Sequence, residues 1–257
     1  MTTSTQPTAS TRGDRPVAIV SGGSGEIGAA IVRGLRSDGL RVAVADIRTD
    51  SADEDSFQVD VTDAASCERF RADVIDHFGE SASVVVNCAG LMLRGSIEEL
   101  DLDEAARVHE VNVWGAQRLS RVFVGDMKAA GSGRIINISS IQAWLGLDGY
   151  SAYASSKAAI NALSRVWARE LGPYGITVNS VAPGYVDAVM IEGLFERLAK
   201  RRGESPLQAR RRLEDEIAIR RLIRPEEIAN VVGFLASHEA SAVNGVSLPV
   251  DGGNALM

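Results

Sequence analysis

Tyr153 and Lys157 stand four residues apart in Tyr153-Ala154-Ser155-Ser156-Lys157, a spacing that puts a phenol and an ammonium on one face of a helix. A tyrosine ionises near pH ~10, and a neighbouring cation favours its phenolate, so such a pair can exchange protons with an alcohol closer to neutrality. Taken alone, the pair is equally a surface tyrosine beside a solvated lysine. Its company matters. Ser139 and Ser140 close an apolar run that begins at Arg134, and a hydroxyl placed there can donate to a carbonyl oxygen or hold an alcohol. Asn112 lies between Val111 and Val113 in a helical segment. It is either a satisfied core amide or a functional one.

A second constellation suits phosphate. The apolar run Pro16-Val17-Ala18-Ile19-Val20 passes into Gly22-Gly23-Ser24-Gly25-Glu26-Ile27-Gly28 and then into a segment whose apolar residues recur at helical spacing. Strand, glycine turn and helix in that order let a backbone approach a pyrophosphate while the helix N-terminus supplies N–H groups. The same glycines also make a tight turn. Asp46 closes the next β-rich run, Arg41 to Asp46, where a carboxylate accepts both hydroxyls of an adenosine ribose and repels a 2′-phosphate. Neither Arg nor Lys lies within the turn to offset that repulsion, so the sequence favours NAD over NADP, with Arg48 the one nearby cation.

These residues need a frame. Further strands are expected at Ser56 to Val59, Ser83 to Asn87, Arg134 to Ser139, Ile176 to Val181 and Val246 to Val250, with helices near 63–78, 102–129, 152–171 and 225–236. In the third helical segment Leu163, Val166 and Leu171 are expected to continue the buried side. About seven strands alternating with helices imply an α/β fold, a Rossmann-like doubly wound parallel sheet with helices on both faces. Residues 1–15 are rich in Thr and Ser and are expected to form a disordered tail, with one domain over 16–257. The stretch 190–221 mixes nine Arg and Lys with six Glu and Asp. It reads as a solvated helix pair or as a lid over a substrate pocket.

The chain has 257 residues, 45% of them apolar, and a formal charge of −7. That balance argues against a nucleic-acid partner, which needs clustered cations to displace counterions. Two cysteines cannot build a disulfide framework, no apolar stretch approaches the length of a membrane span, and no secretion signal is evident, so a reducing cytoplasm is the expected address. The residues call for no metal.

The conjunction of motifs resembles the short-chain dehydrogenase/reductase family of the single-domain type, from about Pro16 to Gly253. The family's TGxxxGxG turn is matched at Gly22, Ile27 and Gly28, while Glu26 occupies the middle glycine position, Gly25 lies one residue early, and Glu26 is expected to point outward. The resemblance implies that Asp60, followed by Val61, contacts the adenine, and that Asn87-Cys88-Ala89-Gly90 ends a strand beside the nucleotide. Cys88 replaces an Asn and is not expected to be a nucleophile. The family's catalytic set falls on Asn112, Ser140, Tyr153 and Lys157, with Ser140 rather than Ser139 at the matching distance from the tyrosine. Pro183-Gly184-Tyr185-Val186 would hold the nicotinamide carboxamide through the Val186 backbone, and Ala188 stands where a Thr is usual.

The implied activity is hydride transfer between NAD(H) and a secondary alcohol or ketone. In it Tyr153 is the general acid or base, Lys157 lowers its pKa and contacts the ribose, Ser140 holds the substrate oxygen, and Asn112 keeps a water in a proton relay. Leu93, Trp144, Leu145, Tyr150, Val189, Met190, Leu194 and Phe195 are expected to rim the pocket, which suggests an apolar or cyclic substrate. Arg94 and the arginines of 190–221 leave room for a carboxylate. Thirteen residues separate Asp46 from Asp60, too few for the usual helix, a shortening similar to that of dihydrodiol dehydrogenases that make dihydroxybenzoate. A 3-oxoacyl carrier reductase and a non-catalytic dinucleotide sensor are the alternatives. A homotetramer is implied, built on the apolar face Ala158, Ala162 and Val166 and on the C-terminal strand.

Overall fold

The computed structural model describes residues 15–255. Seven strands form one parallel sheet: β1 (Val17–Ser21), β2 (Arg41–Asp46), β3 (Ser56–Gln58), β4 (Val84–Asn87), β5 (Gly133–Ile138), β6 (Ile176–Pro183) and β7 (Ser247–Val250). The order is β3-β2-β1-β4-β5-β6-β7. The direction of winding reverses between β1 and β4, and the crevice beyond the C-terminal ends of those strands is where a doubly wound sheet takes its ligand.

The strands are runs of Val, Ile and Ala because both faces are covered. Alternate residues feed two cores. Ala18, Val20, Val42 and Val44 pack under α1 (Glu26–Ser37) and α8 (Pro225–Ala236) on one side. Val17, Ile19, Ala43 and Ala45 pack on the other side with Phe70 of α2 (Ala64–Phe78), Leu119 and Phe123 of α4 (Ala116–Ala130), and Ala168 and Leu171 of α5 (Ser151–Leu171). All seven expected strands are present, and no helix lies between β2 and β3.

Two differences from expectation are informative. The helix anticipated over 102–129 is three pieces: α3 (Leu102–His109), a π-helical turn over Glu110–Gly115, and α4. Apolar periodicity does not reveal a π turn, and this one contains Asn112. Val166 is 49% exposed, so it leaves the buried side on which Leu171 remains. The expected tail falls, apart from Arg15, outside the described residues. Residues Val189–Arg202 and Pro206–Glu216 form helices α6 and α7, joined by the left-handed Gly203 and by a capping box from Ser205 to Gln208. They share a small core of Ile191, Phe195, Leu213, Ile217 and Leu222.

Candidate active site

Glycines 22 and 28 are required by close approach. Gly22 has φ +66°, and a Cβ there would lie 2.7 Å from the Ala89 Cα, so the turn runs against the end of β4. A Cβ on Gly28 would lie 2.1 Å from the Gly22 carbonyl oxygen, so Gly28 is what lets α1 close onto the turn. Gly25 is the N-cap of α1 and offers no side-chain acceptor to the first turn, which leaves those N–H groups to an anion. Glu26 is exposed at the next position.

Asp46 is buried and held against this loop. Its Oδ2 accepts the Ser24 N–H at 3.1 Å and its Oδ1 the Arg48 N–H at 3.2 Å. The exposed Asp60 accepts the N–H and hydroxyl of Thr62 at 2.8 and 2.7 Å, chiefly the hydroxyl bond holding its carboxyl below the usual range. Val61 is buried against Gly115, where a Cβ would lie 2.7 Å from its Cγ2. Ser21, in place of Thr, accepts the N–H groups of Cys88 and Ala89 at 3.2 Å and fixes the turn after β4. Pro183 ends β6, Gly184 lies where a Cβ would meet Asp251, and Val186 bridges to Ile223. An open glycine cradle, an uncapped helix N-terminus and a carboxylate at the end of β2 fit a dinucleotide.

Asn87 is the exception among these positions. Its Nδ2 donates inward to Ser120 at 2.8 Å and Asn137 at 2.7 Å, and Asn137 donates to Ser164 at 2.8 Å. Its Nδ2 therefore belongs to a buried network, while its Oδ1 is buried with no hydrogen-bond partner among the described residues. Cys88 is partly buried, and burial pushes its thiol up to about 11, which fits an inert residue.

At the chemical end, α5 carries Tyr153 and Lys157 toward the terminus of β5. Ser140, at the end of that strand, lies near enough to Tyr153 to favour its phenolate, and its Oγ accepts the Gln142 N–H at 3.2 Å. Ser139 instead donates to the Lys157 carbonyl at 3.1 Å, which assigns the two serines different jobs. Lys157 is 5% exposed, its Nζ donates to the Ile138 carbonyl at 2.8 Å and lies 5.6 Å from the centre of the Tyr153 ring. A Cβ on Gly90 would sit 3.3 Å from Asn112 Oδ1 and 3.5 Å from Lys157 Nζ, so the amide and the ammonium converge beneath that glycine.

The electrostatics differ from expectation. Burial pushes the Tyr153 phenol up to about 12, with the nearby Ser140 opposing it, and desolvation lowers Lys157 to about 8. The Lys157 Nζ is turned to the Ile138 carbonyl at the end of β5, and burial is the dominant influence on the phenol. Asn112 also differs. Its Oδ1 accepts the Leu91 N–H at 2.7 Å, and its Nδ2 donates to the Leu91 carbonyl at 2.9 Å and to Ser156 at 2.9 Å. The amide clamps the turn after Gly90, so the side chain has no N–H to spare for a water.

Ser156 was not legible as part of the site: it joins Asn112 to the Tyr153 carbonyl, to which it donates at 2.7 Å, across 44 residues of sequence. Of the expected rim, Tyr150 is buried, Trp144 is 39% exposed, and Phe195 packs into the α6–α7 core. The side chains of Val189 and Met190 lie outside the described residues.

A parallel sheet wound in this order, with a glycine turn at its switch point and a Ser, Tyr and Lys gathered beside it, defines a nicotinamide-dependent oxidoreductase. The chain belongs to the short-chain dehydrogenase/reductase family, and it acts on CH–OH or keto groups. A family model described as enoyl-(acyl carrier protein) reductase matches residues 23–255. The short-chain reductase protein NovJ of Streptomyces niveus is 36% identical, over 92% of this chain and 93% of its own length. The trans-4-hydroxycyclohexanecarboxylate dehydrogenase of Sinomonas cyclohexanicum is 35% identical, over 92% of each. The solved structure of an NAD+-bound xylitol dehydrogenase superimposes with a TM-score of 0.86 at 30% identity, covering 93% of this chain and 98% of that one. No helix of the described residues is long and apolar enough to cross a membrane.

Proposed function

We propose that the protein interconverts a cyclic or otherwise apolar secondary alcohol and its ketone with NAD(H), and that Tyr153 moves the proton at the substrate oxygen. The observation that carries this reading is the buried Lys157, whose Nζ is held by the Ile138 carbonyl at 2.8 Å and lies 5.6 Å from the centre of the Tyr153 ring. The nicotinamide supplies or takes the hydride. Ser140 donates to the substrate oxygen and orients it toward Tyr153, which removes the proton in oxidation and returns it in reduction. Lys157, held by the Ile138 carbonyl, keeps a positive charge near the ribose and the reacting oxygen below pH ~8, its shifted pKa. Asn112 is a positioning residue that fixes the turn over Lys157 through Leu91.

NAD is proposed over NADP because a 2′-phosphate would meet the buried Asp46 carboxylate, already bonded to Ser24. Gly22, Gly25, Ile27 and Gly28 would cradle the pyrophosphate, Asp46 the ribose, Asp60 and Val61 the adenine. Asn87, Ala89 and Gly90 would border the nicotinamide ribose with Tyr153 and Lys157, and Pro183, Gly184 and Val186 the carboxamide. Helices α6 and α7 are proposed as a substrate lid. A homotetramer is supported by exposed apolar residues on two faces, Trp114 and Val166 on one and Ile219 and Phe234 on the other, and by the unpaired edge of β7. The two free cysteines suit the cytoplasm.

The test is a panel of cyclic and acyclic secondary alcohols and diols, each with NAD and with NADP, read as absorbance of the reduced nucleotide. Turnover with NAD at least tenfold above NADP is expected. Binding of NAD without turnover of any alcohol or ketone would establish the sensor alternative, and a preference for 3-oxoacyl thioesters with NADPH the carrier-reductase one.

A further inference from the structure

Two arginines meet one tyrosine beside the reacting groups. Tyr150 is buried at the N-cap of α5, one turn before Tyr153. The guanidinium of Arg94 lies over its ring, 5.4 Å from the centre. From the lid, Arg197 donates through Nη2 to the Tyr150 hydroxyl at 2.9 Å and through Nη1 to the Gly193 carbonyl at 2.7 Å.

What separates Arg197 from the rest of the lid is its partners. Arg210 meets Asp187 and Glu214, Arg212 meets Glu204 and Glu216, Arg201 meets Asp148, and Arg220 meets Asp215. Lys200, Arg202 and Arg211 are exposed to water. Arg197 is partly buried, bonds only to neutral oxygens, and has a buried Nε–H with no acceptor among the described residues. A partly buried guanidinium with no counter-charge among the described residues, and with a donor unmatched, is costly in a chain whose acids outnumber its bases. Both deficits are met by one carboxylate, which the planar guanidinium binds through two N–H groups.

On the dehydrogenase reading above, we infer that Arg197, with Arg94 across the Tyr150 ring, receives a carboxylate of the substrate, so that the preferred substrate is a cyclic hydroxy acid or its keto acid. Tyr150 and Tyr153 are separated by about 4.5 Å along the helix axis.

The experiment has a binding arm and a turnover arm. In the first, cyclohexanecarboxylate and cyclohexanecarboxamide are titrated into the enzyme–NAD complex by calorimetry. The carboxylate is expected to bind at least tenfold tighter, the ratio to fall to within twofold in Arg197→Met, and Arg197→Lys to keep part of it. In the second, kcat/KM is compared for a hydroxycyclohexanecarboxylate and its methyl ester, and the same collapse of the ratio is expected.

Ratios are read because Arg197 also ties the lid to Tyr150, and a merely structural role would depress both substrates alike and leave the ratio intact. Equal affinity for acid and amide in the wild type, or a preference that survives in the Arg94→Met/Arg197→Met double variant, would overturn the inference. If no alcohol turns over while the carboxylate preference in binding persists and depends on Arg197, the anion site stands and the reaction reading fails.

Discussion

The wall formed by β5 and α5 and the helix pair α6 and α7, proposed above as a lid, are built on opposite principles. In the wall, buried side chains bond to the protein's own backbone: Lys157 to the Ile138 carbonyl, Ser139 to the Lys157 carbonyl and Ser164 to the Ile160 carbonyl. In the lid, a small core of its own is surrounded by ion pairs at the surface, such as Arg210–Asp187 at 2.9 Å. The wall is fixed by the main core of the sheet, to which Ile135 of β5 and Ala168 and Leu171 of α5 belong. Exposed ion pairs are worth little each, so the helix pair proposed as a lid owes little of its hold to them. On the proposed function, proton transfer belongs to the wall and substrate selection to the lid.

The largest effect expected is in the wall. Tyr153→Phe keeps the ring and removes the proton, so kcat should fall by about 10² to 10⁴, the usual worth of acid–base help, with NAD affinity retained. A loss below threefold would move the proton transfer elsewhere.

Lys157 gives a stability signature of the same wall. Its folded pKa, about 8, lies below its ordinary value of 10.5, so the unfolded chain binds the proton more tightly. The stability penalty of burying the charged ammonium is full below pH 8 and is relieved as pH rises toward 10. Relative to Lys157→Met, the wild type should gain stability over that window, approaching about 1.4 kcal/mol for each pH unit. Chemical denaturation of both proteins at pH 7 to 10 checks this, and parallel profiles would contradict the desolvated lysine. The same variant should weaken NAD binding.

At the nucleotide end, Asp46→Ala should narrow a preference for NAD over NADP of at least tenfold, about 1.4 kcal/mol, measured as the ratio of kcat/KM for the two cofactors. An unchanged ratio would mean that Asp46 does not face the ribose.

The smallest effect is in the lid. Arg210→Ala removes its bonds to Asp187 and Glu214 and its cover over Phe195, and should raise KM by about two- to fivefold with kcat nearly unchanged, in keeping with a surface pair. A large fall in kcat would show that the lid contributes to chemistry and would blur the distinction between the two regions.

The strands were legible because both faces of a parallel sheet demand continuous Val and Ile, and the spacing of Tyr153 from Lys157 survives any error in helix boundaries. The split of Ser139 from Ser140 was legible only through the family's spacing. The π turn at Asn112 was not, since i→i+5 bonding leaves no mark on apolar periodicity. Nor was the clamp from Asn112 to Leu91 and Ser156, which joins segments 21 and 44 residues away. The direction of the Tyr153 shift was missed for a related reason: a four-residue spacing shows that a cation is near, but not that its Nζ turns to the Ile138 carbonyl while burial acts on the phenol.

The central claim is that a hydride leaves a carbinol carbon for the nicotinamide. The most direct measurement uses a turned-over cyclic alcohol bearing deuterium on that carbon, followed by mass spectrometry of the reduced nucleotide. One deuterium in each NADH formed is the predicted result. Deuterium released to water, or NADH that carries none, would contradict the account.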